Sequence, residues 1–370
     1  MSGAPARDLN REIAGHLFDL AMIHSSEHGR IAYRRAARAF MRIEQQADAF
    51  VRTRSLREIP YVGPASERIA LEVIAQGASP WVEAAVEKSD RRDAVREGRP
   101  LRATFLSRAG AHQVLSADIA GAITMADYRG DFQVHSEWSD GGESISQLAD
   151  AAQARGHAYI GISDHSYGLR IAGGMSMEDA ARQHREIDAL NHGLGGSFRV
   201  IKAIEANIPL EGGVDMQPGE LAQFELVLAA PHSRLRRSED QTDRMLATAR
   251  HPSVHILAHP RGRMYSRRGV IARWDEVFAE AQRHRVAIEL DGDSYRQDLD
   301  HTLARRALDA GCLFALDSDA HSGSQLMYED YALAHARLAG IPAARVINTW
   351  PTARLLEWAK EKSAPGRRAA

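Results

Sequence analysis

Six short strings follow apolar runs over some two hundred residues, and each carries a side chain able to bind a metal ion. They are HSEWSDG (135–141), SDHS (163–166), IEAN (204–207), APHS (230–233), LAHP (257–260) and SDAH (318–321). Together they offer His135, Asp140, His165, Glu205, His232, His259, Asp319 and His321. One strand-terminal histidine or aspartate alone is more often a hydrogen-bonded structural residue. Eight that follow strands at the same end are more than one tetrahedral site needs, so the pattern predicts two or three divalent ions. Neutral imidazole with bridging carboxylate suits Mn²⁺, Zn²⁺ or Fe²⁺. Such clusters polarise a phosphoryl oxygen and acidify a bridging water, which makes phosphoester hydrolysis their natural chemistry.

For these residues to converge, the elements carrying them must share one mouth. From Asp131 onward, short apolar runs alternate with helical patterns: AYIGISD before MSMEDAARQHREIDALN, FELVLAAPHS before EDQTDRMLATAR, VHILAHP before WDEVFAEAQRH, VAIELDG before DLDHTLARRALDAG, CLFALDSDAH before MYEDYALAHARLAG, and ARVINTW before PTARLLEWAKEK. Continuously apolar strands separated by helices predict parallel strands with both faces covered. Ligands borne by all the strand ends favour an α/β barrel over an open sheet, whose site would sit at one switch point. No glycine-rich phosphate loop follows the first strand.

The N-terminal part reads as helical. Ile13, Leu17, Leu20 and Ala21 recur at three-to-four spacing, and Tyr33, Ala36, Ala37, Phe40, Met41, Ile43 and Ala47 continue the pattern in a second helix. In residues 56–77 a short helical turn meets a tight connection from Pro60 to Gly63, and a longer helix begins near Pro64. This is the outline of a helix-hairpin-helix, whose backbone N–H groups can bind phosphate. Eight arginines (30, 34, 35, 38, 42, 52, 54 and 57) against Glu44 and Asp48 favour an anionic partner here, despite a net charge of −2 for the chain. The expected division is 1–90 helical domain, 91–129 linker or helix, 130–362 barrel and 363–370 disordered tail.

A chain of 370 residues, 26% charged, has room for one large and one small domain. Its single cysteine, Cys312, excludes an internal disulfide framework and reads as a small buried hydrophobe. No signal segment and no run of eighteen apolar residues is present, so a cytoplasmic protein that engages no membrane, with a monomer favoured, is the expectation.

HSEWSDG, GISDHS, the glutamate of IEAN, APHS, AHP and DSDAH resemble the successive motifs of the polymerase-and-histidinol-phosphatase (PHP) superfamily of metal-dependent phosphoesterases. SDHSYGLRIAGGMS, AHPRGR followed by RRG, SYRQDLD and VINTWPTARLLEW are most similar to the C-terminal PHP domain of bacterial family X DNA polymerases. NREIAGHLFDLA, AYRRAARAF and LREIPYVGPASERIA resemble the helical DNA-binding domain of the same proteins. The resemblance implies a distorted (β/α)7 TIM-like barrel preceded by a small all-α helix-hairpin-helix domain, with no polymerase palm between Gly77 and Asp131.

The resemblance further implies three metal sets: His135, Glu205 and Asp319; Glu205, His232 and His259; and Asp140, His165 and His321. Two departures stand out. The family's first motif usually reads His-x-His, whereas this chain has Gln133, Val134 and His135, so the first site is expected to be weak or to use another metal. Tyr61 stands in the hairpin where glycine is common, and tyrosine has no easy access to positive φ. Arg170, Arg263 and Arg296, with Arg234, are candidates to hold substrate phosphate. Arg34, Arg35, Gly63 and Ala65 are the expected DNA contacts. Ser136 and Asp164 are expected to orient ligands, and Trp350 with Trp358 to pack. The implied activity is a 3′-5′ exonuclease or 3′-end processing in DNA repair, at DNA 3′ ends or gaps. The alternatives are a small-molecule phosphatase of histidinol-phosphatase type acting on a phosphomonoester, and a catalytically weakened DNA-binding PHP protein.

Overall fold

The structure, a computed structural model, describes residues 7–363 and falls into two compact units, Met1–Asp118 and Ile119–Ala370. The first is all helical: α1 Leu9–Ile23, α2 Glu27–Arg42, α3 Ala47–Arg52, α4 Pro64–Gln76, α5 Pro80–Glu87, α6 Arg92–Ala103 and α7 Arg108–Ser116. The three-to-four spacing of Ile13, Leu17 and Leu20 gives α1 one apolar face. It packs on Ala36, Ala37 and Phe40 of α2 and on Ile69 and Val73 of α4, all buried. Asp8 starts α1 by accepting from the Arg11 N–H at 3.0 Å, and the same carboxylate accepts from the Ser107 N–H at 2.8 Å. Buried Asp19 on α1 pairs with Arg99 at 2.8 Å and with Arg102, both on α6. Through these contacts residues of the stretch expected as linker or helix form α6 and α7, which pack within the first unit.

The second unit carries seven parallel strands in the order of the chain: β1 Gly130–Val134, β2 Tyr159–Ile162, β3 Arg199–Asn207, β4 Leu226–Ala230, β5 Ile256–Leu257, β6 Ala287–Asp291 and β7 Leu313–Asp317. The helices between and after them are α8 Ile145–Ala154, α9 Met177–Gly193, α10 Pro218–Leu221, α11 Thr242–Ala249, α12 Trp274–Arg283, α13 His301–Asp309, α14 Glu329–Ala339 and α15 Thr352–Ser363. Nearly every strand residue is buried, as continuous apolar strands covered by helices require.

The sheet closes into a barrel between β1 and β7 largely through side chains. Asp317 Oδ1 accepts from the Phe132 N–H at 2.8 Å, and Asp131 Oδ2 accepts from the Ser318 N–H at 3.1 Å. Asn348 Nδ2 donates to the carbonyls of Gly130 and Leu316, both at 2.9 Å. Above them Val134 bridges Ala320 in parallel. These bonds replace a regular ladder where the barrel is distorted.

ARVINTW does not form the further strand that its apolar run predicts. It makes two 3-10 turns, Ala343–Arg345 and Ile347–Thr349, with Val346 bridging Phe314, and its Asn348 serves the seam instead. Trp350 and Trp358 are buried with ring centroids 5.7 Å apart in a T-shaped pair, packed with Phe132, Tyr159 and Ile201, as the packing reading requires. Cys312 is buried, burial pushes its thiol up to about 12, and it donates to the Phe278 carbonyl. No helix among the described residues is long and apolar enough to cross a membrane. Of the tail expected over 363–370, Ser363 ends α15, and 364–370 lie outside the described residues.

Candidate metal centre

Parallel strands put all their C-terminal ends at one mouth, and the eight ligand candidates lie there. Glu205, near the end of β3, is the hub. Its Oε1 lies 2.8 Å from His259 Nε2 and 3.3 Å from His232 Nε2, while its Oε2 lies 3.0 Å from His165 Nδ1 and 3.4 Å from His135 Nε2. Asp140 Oδ1 lies 3.4 Å from both His165 Nε2 and His321 Nε2. Tetrahedral ligands around one zinc-sized ion lie about 3.3–3.5 Å apart, so several of these spacings match edges of a coordination polyhedron.

Among the described residues, two groupings offer ligand atoms within 4.8 Å of one another: His135, Asp140, His165 and His321; and His165, Glu205 and His232. The partition differs from the expected one, because His135 joins the group around Asp140, His165 belongs to both groups, and Asp319 and His259 belong to neither. His135 Nδ1 and His259 Nδ1 are buried and make no hydrogen bond. Buried polar atoms of this kind are costly unless something satisfies them, and divalent ions fit the donor set.

The side chains behind the ligands fix their aim. Asp164 accepts from the Ser136 N–H at 2.8 Å, the Ser136 hydroxyl at 2.6 Å and Gln183 Nε2 at 2.6 Å, which holds the 135–141 loop against β2. That loop turns back on itself at Gly141, where a Cβ would lie 2.1 Å from the His135 carbonyl oxygen. Asn207 Oδ1 lies 3.2 Å from His232 Nδ1, leaving Nε2 to face Glu205, and Glu289 Oε2 accepts from the His259 N–H at 2.5 Å. His259 and Asp319 have φ of 24° and 54°. Left-handed backbone at non-glycine residues costs about 1–3 kcal/mol and persists where its surroundings over-determine it.

Electrostatics divide the histidines. Burial pulls His165 and His321 down, but the charges and hydrogen bonds of Glu205 and Asp140 on the first, and of Asp140 and Asp319 on the second, raise them to about 10 and about 9. Burial, helped by the charge of Arg296, lowers His259 to about 4, so it is neutral at pH 7 and ready to ligate. Burial opposes ionisation of Glu205 and Asp140, yet the surrounding imidazoles hold both carboxyls below their ordinary range.

The mouth forms a cavity of about 350 Å³ lined by seven of the eight ligand candidates, all but His135, by Arg267 and Arg296, and by an apolar side of Leu169, Ile171, Leu235 and Met264. Arg296 is therefore placed to meet substrate. Arg170 and Arg263 are not, which corrects the expectation for both. Arg170 is exposed and its neighbours Leu169, Ile171 and Ala172 line the wall instead; exposed Arg234 likewise gives way to Leu235.

Arg263 is fully buried. Its Nε donates to the carbonyls of Arg296 and Gln297 at 3.0 and 2.9 Å, and its Nη1 donates to Asp300 at 3.0 Å. It clamps the loop that presents Arg296. Breaking a buried pair costs about 3–5 kcal/mol, so Arg263→Met is expected to lower the unfolding free energy by about 3 kcal/mol in urea denaturation. A loss below about 1 kcal/mol would show that the clamp carries little.

Arg267, Asn207 and Glu289 were not among the sequence candidates. Asn207 lies in IEAN and Arg267 in the RRG that follows AHPRGR, so the signal was proximity to a ligand string. Glu289 lies within the apolar run of β6, where one acid among Ile288 and Leu290 was the only sign.

In the first unit Arg34, Arg35 and Ala65 are exposed, and Gly63 is the N-cap of α4, with no side chain capping the helix start. Arg35 stacks over the Tyr61 ring at 5.5 Å. Tyr61 adopts φ 66°, so it takes up the left-handed conformation that was held against it.

No family model matches the chain. It is 31% identical over 262 residues to DNA polymerase/3′-5′ exonuclease PolX of Bacillus subtilis, a match covering 70% of this chain and 46% of that protein. The chain thus spans about half the length of this relative. It is 28% identical over 228 residues to the Escherichia fergusonii protein named "Probable phosphatase YcdX", covering 58% of this chain and 86% of that one. Among solved structures, a histidinol phosphate phosphatase from Lactococcus lactis, in complex with zinc, L-histidinol and phosphate, superposes with a TM-score of 0.38 at 12% identity, covering 64% of this chain and 92% of that chain.

Proposed function

The chain belongs to the PHP superfamily, and from that membership we propose that it is a metal-dependent phosphoesterase acting at the 3′ ends of DNA, as an exonuclease or a 3′-end-processing enzyme. The observation that carries the phosphoesterase reading is the convergence of four histidines on Glu205 at one barrel mouth, with Asp140 and His321 next to them and arginines in the same cavity. Divalent ions held there supply positive charge for a phosphoryl group and acidify water. The chain's own residues do the rest. Asp164, Asn207 and Glu289 aim the ligands, Arg296 and Arg267 present guanidinium charge to substrate oxygens, and the apolar side of the cavity limits water beside the reacting phosphate.

The DNA reading is supported by the first unit. Exposed Arg34 and Arg35, the latter stacked on Tyr61 just before the start of α4, suit a phosphodiester backbone. The test uses the full-length protein with Mn²⁺ on 5′-labelled single-stranded and 3′-recessed DNA, with a small phosphomonoester alongside. Metal-dependent shortening or release of 3′ phosphate is expected. The double substitution Arg34→Glu/Arg35→Glu is expected to raise KM for DNA, flatten the salt dependence of log Kd by about 1–2, and leave monoester turnover unchanged.

A cavity of about 350 Å³ is also of a size for a small phosphomonoester, which keeps a histidinol-phosphatase-type activity as the second reading. Monoester turnover with no action on DNA would select it. Metal-loaded protein inert on both substrates would instead favour the weakened, DNA-binding barrel.

A further inference from the structure

We propose that Arg296, together with Gln133, takes the place of one metal ion, so that this chain binds two divalent ions and a permanent guanidinium in place of a third ion. The inference rests on the metal-dependent reading above and sets the number of ions. It begins from Gln133, which stands on β1 two residues before His135 and is fully buried. An amide is neutral and a poorer ligand than imidazole. Its nitrogen also finds a carboxylate on either side: it lies 3.5 Å from Asp319 Oδ1 in one orientation and donates to Glu289 in the other.

Asp319 is the second observation. Its Oδ2 lies 3.1 Å from Arg296 Nη1, and its Oδ1 lies 3.1 Å from His135 Nε2. It falls outside both groups of converging ligand atoms, as His259 does, but where His259 faces Glu205, Asp319 faces a guanidinium. Arg296 pairs on its other side with Asp291, with Nε at 3.3 Å from Oδ2. The guanidinium therefore lies between two buried carboxylates at the position where a metal held by Asp319 would need to draw its charge.

Arg296 is also held there by its backbone. Its N–H donates to the Asp293 carbonyl at 2.9 Å, and its carbonyl accepts from buried Arg263. A fixed monovalent cation balancing Asp319 and Asp291 makes a further divalent ion redundant in charge, and Gln133 removes the imidazole that would have competed for it. The two remaining sites are the one around His135, Asp140, His165 and His321 and the one around His165, Glu205 and His232, with His259 Nε2 2.8 Å from Glu205 Oε1 beside it.

The experiment counts ions. Full-length protein, stripped by chelator and dialysed against Mn²⁺ or Zn²⁺, is expected to hold two ions per chain by elemental analysis. Asp319→Asn is expected to hold two as well, because Asp319 serves Arg296. Gln133→His alone is expected to stay at two, and Gln133→His with Arg296→Gln to rise to three, with circular dichroism checking each fold. Three ions in the unmodified chain, loss of an ion in Asp319→Asn, or no gain in a folded double variant would each overturn the inference. If the double variant does not fold, the unmodified chain and Asp319→Asn still decide. No bound ion in the unmodified chain would overturn the metal-dependent reading itself.

Discussion

Glu205→Gln is expected to reduce metal-dependent phosphoester hydrolysis by about a thousandfold and to lower the number of ions the protein retains. Glu205 is the one carboxylate that meets four histidines from four other strand ends: His135 after β1, His165 after β2, His232 after β4 and His259 after β5. The amide keeps the shape but loses the negative charge that would balance bound divalent ions. Charge stabilisation by bound metal is worth several kcal/mol, and each 1.4 kcal/mol is a factor of ten in rate, which sets the size of the loss. The isosteric change leaves the buried end of β3 filled, so secondary structure by circular dichroism is expected to be unchanged. Steady-state turnover of a phosphodiester, with elemental analysis of the same sample, makes the measurement. A variant retaining more than about a tenth of the rate would remove Glu205 from the centre of the chemistry.

Metal binding is expected to release about two protons per chain at pH 7, and its affinity to rise about a hundredfold per pH unit below pH 9. The sign follows from the metal-free protein, in which carboxylates raise His165 to about 10 and His321 to about 9 despite burial. Both imidazoles are protonated at pH 7, and an ion binds only the neutral ring. Each must give up its proton, so higher pH favours binding until the pH passes these values, where the dependence flattens. His259, near 4, has no proton to lose at pH 7 and adds nothing to the slope. Calorimetric titration of Zn²⁺ or Mn²⁺ in buffers of different ionisation enthalpy reads the proton count directly. Binding without proton release at pH 7 would contradict the charge states of the two rings.

The ligand set was legible because its signal is local. A histidine or acid just past an apolar run is visible in the string itself, and parallel strands bring every such position to one mouth whatever the details of packing. The helical core of the first unit was legible for a similar reason, since three-to-four spacing marks Ile13, Leu17 and Phe40 without knowledge of their partners. What was hidden depends on contacts between distant residues. Arg263 and Arg296 lie in comparable polar stretches, yet the 293–300 loop folds over Arg263 and leaves Arg296 in the cavity.

ARVINTW has a strand's composition, but its Asn348 is needed across the seam between β1 and β7, and the segment turns to deliver it. Tyr61 was expected to resist positive φ; it adopts φ 66° with Arg35 stacked on its ring, a contact between α2 and the connection before α4 that sequence spacing does not reveal. The grouping of ligands, with His135 facing Asp140 by Nδ1 and Asp319 by Nε2, and Asp319 shared with Arg296, also depends on side-chain directions.

The measurement closest to the centre of this reading is the hydrolysis rate of bis(p-nitrophenyl) phosphate by full-length protein stripped of metal, before and after Mn²⁺ is restored. The predicted result is a rate at background without metal that recovers on addition and saturates as the bound ions reach two per chain. An equal rate with and without metal, or no hydrolysis of any phosphoester by protein shown to carry its ions, would contradict it.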